Sequence, residues 1–128
     1  MIDIENEVFN NVATALRAAY QGISVYGEVI ETPSSFPCVT LVEDDNSEIE
    51  GNTTLARTTE TASNLMYTVN VYSNLKSGKK AQAKAITEVV DTQMRNMGFI
   101  RTMRSQLPNI DRTIYRVTAR YSMIYQTY

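Results

Sequence analysis

Apolar residues recur at four-residue spacing from Asp3 to about Tyr20: Ile4, Val8, Val12 and Leu16, with Phe9, Ala13 and Tyr20 widening the stripe. That period predicts an amphipathic helix with one face turned to a core. Asp3 is placed to cap it, Glu5 and Glu7 suit its positive end, and Gly22 ends it. Two short strands are expected next, about Ser24–Glu31 and Cys38–Glu43, divided by "TPSSFP", whose prolines favour a turn. The segment Asp44–Asn64 is polar and Thr-rich, and it predicts a long loop or arm at about 44–64, with some strand extension favoured by its threonines.

The period then changes. In "LMYTVNVYS", Leu65, Tyr67, Val69 and Val71 alternate with Thr68, Asn70 and Tyr72, as in a strand with one buried face. A second helix follows, with Ser77 as its expected cap, a stripe of Ile86, Val89, Val90, Met94 and Met97, and Gly98 as its left-handed stop. The rest reads as a hairpin: a strand over Phe99–Ser105, "QLPNID" as its turn, and a long strand over Thr113–Tyr125. In the last strand Tyr115, Val117, Ala119, Tyr121, Met123 and Tyr125 share one face, and Arg116, Thr118, Arg120 and Ser122 share the other. The expectation is one α+β domain over residues 1–128. Its mainly antiparallel sheet has about five strands with two helices on one face, in the order α-β-β-β-α-β-β.

Composition narrows the chemistry. With no His and only Cys38, His-based triads and thiolate–imidazole metal sites are excluded. Cys38, among apolar neighbours and without a cationic activator, reads as a small core residue. No run of about 18 apolar residues predicts a membrane span. The acidic N-terminal stretch, without Lys or Arg, argues against a signal or transit peptide. Net charge is −2, but eleven of the 14 acids lie at or before Glu60 and ten of the 12 basic residues at or after Lys76. Differently charged solvated faces would produce this division. So would a subunit with complementary acidic and basic ends, suited to head-to-tail association.

Strand, "SGKK" and helix is the order of many phosphate cradles. The Walker pattern needs an earlier glycine where Ser73 stands and a hydroxyl residue where Lys80 follows Gly78-Lys79, so a nucleotide site is not expected. Glu43, Asp44, Asp45, Glu48 and Glu50 lack the spacing of a calcium loop and read as solvated acids. No catalytic constellation, metal site or cofactor is expected. Arg101, Arg104, Arg112, Arg116 and Arg120 all fall on the C-terminal hairpin. They could meet nucleic-acid phosphates, form an exposed sheet face, or meet the acids of a neighbouring copy; the acidic chain and the lack of RNP-type aromatic patterns favour the neighbouring copy over nucleic acid.

Several stretches together resemble the small tail terminator and tail-completion proteins of long-tailed bacteriophages. They are "FPCVTLVEDDN", "YTVNVYSN", "VVDTQMRNMGFIRT" with its Gly-Phe after the second helix, and the Tyr-Arg-x-x-x-Arg-Tyr strand in "IYRVTARYSMIY". The resemblance spans nearly the whole chain, and none of its patterns is catalytic. It implies a non-enzymatic virion protein made in the bacterial host cytoplasm and located in the tail or neck. Such subunits form a ring, usually hexameric, that caps the tail tube and docks the head connector or stopper, with DNA passing through the lumen without sequence-specific binding. Glu43, Asp44, Asp45, Glu48, Glu50, Arg101, Arg104, Arg116 and Arg120 are then the expected subunit or ring-to-ring contacts. Another neck component (a head-completion adaptor or stopper), a tail-tube protein, or a small nucleic-acid-binding domain are the alternatives.

Overall fold

The computed structural model describes residues 1–49, 62–108 and 111–126. The elements are α1 (Glu5–Ala19), β1 (Ser24–Tyr26), β2 (Cys38–Glu48), β3 (Ala62–Ser73), α2 (Lys79–Asn96), β4 (Ile100–Leu107) and β5 (Tyr115–Gln126). The five strands form one sheet in the order β1-β2-β3-β5-β4. β1 pairs parallel to β2, and the other three pairings are antiparallel. The expected α+β order is the observed one, and no helix among the described residues is long and apolar enough to cross a membrane.

Both helices lie on one face of the sheet because both apolar stripes find the same partners. Val8, Val12 and Leu16 of α1 and Ala83, Ile86, Val90 and Met94 of α2 share one buried cluster with Val39, Leu41, Leu65, Tyr67, Val69, Val71, Val117, Ala119 and Tyr121. Burying a side chain such as Ile86 contributes roughly 1.5–3 kcal/mol. Phe99 completes the cluster, its ring meeting Tyr67 edge-on at 5.3 Å between centroids. Gly98 makes this possible: at φ +99° it turns the chain out of α2 so that the Phe99 amide reaches the Met94 carbonyl at 3.0 Å.

Element ends differ from the sequence expectation for identifiable reasons. β1 stops at Tyr26, not Glu31, and Val29 is 75% exposed. A parallel β1–β2 pair requires the chain to return along the strands, and residues 27–37 make that return. β2 runs on to Glu48 and β3 begins at Ala62, so residues 44–48 and 62–64 of the expected 44–64 loop are paired strand. Ladder bonds use the backbone, and the polar side chains here satisfy one another. Asn46 donates to the Ile2 carbonyl at 2.7 Å, Ser63 donates to Asn46 Oδ1 and to the Ser47 carbonyl, and Thr68 donates to Asp44. Ser77 does not cap α2; the cap position is Gly78 at φ +86°, with no side-chain hydrogen bond. Asp3 does accept the Glu5 amide at 3.1 Å, although Ile4 is the residue at the α1 cap position.

Candidate functional site

Strand order sorts the charges. Glu43, Asp44, Asp45 and Glu48 all lie on β2, Arg101 and Arg104 on β4, and Arg116 and Arg120 on β5. Between them runs β3, "ASNLMYTVNVYS", with no charged residue. One side of the sheet is therefore acidic and the other basic. Glu50 lies outside the described residues.

The four arginines do not form one stripe. A bulge between Arg101 and Met103 shifts the β4 register, so Arg101 lies opposite Tyr121 and Arg104 opposite Ala119, both core-facing positions of β5. Arg101 and Arg104 thus share the helix side of the sheet, which strict alternation would forbid for residues three apart. Arg101 pairs with Asp91 at 2.8 Å and Arg104 with Glu88 at 3.4 Å, both on α2. Beside Arg104, a cleft of about 230 Å³ gathers Lys80, Lys84 and Tyr115.

On the opposite face Arg116 is half-buried, donates to Asn70 Oδ1 at 3.1 Å and lies 5.6 Å from the centre of the Tyr72 ring. Tyr121, on the other face of β5, points into the core and is fully buried. Arg120 is exposed, and its side chain has no hydrogen-bond or ion-pair partner among the described residues. Cys38, Thr40, Tyr72 and Thr118 on this face are also buried, so it is not an open solvated surface throughout. Burial pushes the Cys38 thiol up to about 11, the inert condition expected of it.

The acids likewise separate. A bulge in β2 leaves Glu43 opposite Tyr67 and Asp45 opposite Met66, with Asp44 as the extra residue. Asp44 accepts from Thr68, the residue across the sheet from Arg120. Asp45 accepts from Ser47 at 2.8 Å. Glu43 follows Val39 and Leu41 on the core-facing side and meets the start of α1, where its carboxylate oxygen and those of Asp3 and Glu5 lie within 4.8 Å of one another. Burial, then the adjacent Glu5 and Asp3, push the Glu43 carboxyl up to about 7 against an opposing hydrogen bond from Asn46. The Tyr67 hydroxyl is raised by burial first and then by the charges of Glu43, Glu5 and Asp3. Alongside runs a cleft of about 510 Å³ lined by Glu5, Asn6, Phe9, Tyr26, Glu28 and Tyr67 among others. Sequence reasoning missed this grouping, although the alternation Val39, Leu41, Glu43 already placed Glu43 on the core side.

The fold occurs in a known particle. A chain from the virion of a native gene transfer agent superposes with a TM-score of 0.69 at 14% identity, over 93% of this chain and 91% of that one. Bacteriophage SPP1 gp17 aligns over 97% of this chain and 94% of its own at 13% identity, with a TM-score of 0.44. No protein-family model and no curated protein matches the sequence.

Proposed function

We propose that this chain is a non-enzymatic structural protein of a phage-like virion, a subunit of a hexameric ring in the neck that ends the tail tube and joins it to the head connector. The observation that carries the virion reading is the fold shared over 93% of the chain with a component of a gene transfer agent virion. The terminator role comes from the sequence resemblance. The ring draws support from the charge order of the sheet: acids on β2 and arginines on β4 and β5 give each subunit two different complementary sides, which a heterologous cyclic contact requires. In this reading the protein acts in the virion after synthesis in the host cytoplasm. DNA passes through the lumen without being read.

Light scattering after size exclusion tests it, on the protein alone and after mixing with tail-tube protein from the same source. A ring-sized species, free or on tube ends, supports the reading. A strict monomer that ignores tube protein overturns the terminator role. A steep salt-dependent shift of DNA by such a monomer would favour a nucleic-acid-binding domain instead.

A further inference from the structure

We propose that Asp3, Glu5 and Glu43, backed by the Tyr67 hydroxyl, bind a hard divalent cation of the calcium class. This goes beyond the ring reading and does not depend on it. Calcium takes oxygen ligands at about 2.3–2.6 Å, so two ligands on opposite sides of one ion stand about 5 Å apart. The three carboxylate oxygens already lie within 4.8 Å of one another, a separation that one ion can span without moving the backbone. Their positions are set by rigid elements: Asp3 and Glu5 by the start of α1, Glu43 by its pairing with Tyr67 beside the β2 bulge.

An independent observation points to a ligand. Tyr67 is 1% exposed, yet among the described residues its hydroxyl has no hydrogen-bond partner, and the buried Oε1 of Glu43 has none either. Nearly all buried polar atoms in folded proteins are paired, because an unpaired one has lost its hydration without compensation. Tyr67 shares a cleft with Glu5, and its ladder partner is Glu43. A cation at the carboxylates gives Glu43 Oε1 a direct ligand bond. One of its coordinated waters, held in the cleft of about 510 Å³, donates a hydrogen bond to the Tyr67 phenol oxygen. Three protein carboxylates leave several positions of a six- to eight-coordinate ion to water. This donor set suits weak binding, with a dissociation constant on the order of 0.1–1 mM.

Terbium(III) is a suitable probe, because it takes calcium's oxygen ligands and is excited through tyrosine, and the chain has no Trp to compete. Tyrosine-sensitised terbium emission is expected from the folded protein at pH 7.5, displaced by calcium and far less by equal magnesium. Calcium is also expected to raise the melting temperature. Glu43→Gln and Glu5→Gln each weaken binding about tenfold or more, since affinity follows ligand charge. Asp45→Asn, on the same strand but outside the trio, leaves it unchanged. Absence of both terbium emission and calcium stabilisation at about 10 mM in protein folded by circular dichroism overturns the site, as does equal binding by Glu43→Gln and wild type. An assembly defect in Glu43→Gln without any calcium response also overturns it, and assigns the acids to a basic side chain of a neighbouring copy.

Discussion

The hydroxyl of Tyr121, buried at the centre of β5, donates to Asp91 of α2 across 3.0 Å. The same carboxylate accepts from Arg101 of β4 at 2.8 Å and from Arg95 one turn along α2 at 2.8 Å. One acid thus ties the second helix to both strands of the terminal hairpin. Partial burial acts to raise the Asp91 carboxyl, but hydrogen bonds from Arg95, Tyr121 and Arg101 outweigh it and hold the group below its ordinary value. A depressed folded-state value means stability that is present above the unfolded-state value and lost as pH falls through the folded one. Tyr121→Phe is expected to cost about 1.5–3 kcal/mol at pH 7, the worth of a hydrogen bond to a charged group. Urea titrations at descending pH should show that cost shrink below about pH 4 as Asp91 is protonated. A cost that stays constant down to pH 2 would mean that the Tyr121 hydroxyl acts through something other than the ionised carboxylate.

Gly98 carries a separate constraint. At φ +99° it occupies backbone space that residues with a Cβ rarely adopt, and an added Cβ would stand 3.2 Å from the Met123 sulfur. Gly98→Ala is expected to cost about 1–2 kcal/mol, chiefly from the backbone, since the flexible Met123 side chain can yield. Thermal melting of this variant and of Gly98→Ala with Met123→Ala separates the two causes. Full recovery in the double variant would assign the cost to the Met123 contact instead.

Much of this architecture was legible because burial is written in the period of the apolar residues. Val8, Val12 and Leu16, or Leu65, Tyr67, Val69 and Val71, could face only one way once their element was known. The paired part of residues 44–64 was not legible, because Ser63 bonds to Asn46 and Ser47 across the ladder, Thr68 bonds to Asp44, and no apolar alternation is left to read. The arginines of β4 were misleading for a related reason. A bulge adds one residue and turns Arg104 to the same side as Arg101, and nothing in "IRTMRSQL" announces it. The Asp3, Glu5 and Glu43 grouping joins residues about forty positions apart, and only the packing of α1 against the sheet brings them together.

Cys38 offers a test of packing by chemistry. It is fully buried in β2, and burial raises its thiol from an ordinary 9.0 to about 11. At pH 8 the thiolate fraction then falls about a hundredfold, and access to reagent is lost as well. Disulfide-exchange labelling of the native protein at pH 8 should be at least about a hundredfold slower than in urea. Rapid native labelling would show that the β2 end of the sheet opens readily.

The arginines differ in what they can give to assembly, and charge reversal should separate them. Arg101 is committed to Asp91, so Arg101→Glu removes an ion pair and sets two acids together. The expected result is a loss of about 1–2 kcal/mol of fold stability, with assembly impaired only in proportion. Arg120 is exposed and has no side-chain partner among the described residues, so Arg120→Glu should change stability by less than about 0.5 kcal/mol. If the basic side of one subunit meets the acidic side of the next, Arg120→Glu nevertheless abolishes the ring-sized species expected in light scattering. Asp44→Lys, on the acidic strand, should do the same. Combining both reversals in one chain restores the charge pattern in mirrored sense and should restore assembly, because every copy then carries both changes. Rings formed undiminished by Arg120→Glu would remove this face from the contact. Loss in each single variant without recovery in the double would mean that both residues meet other partners, the tail tube among them.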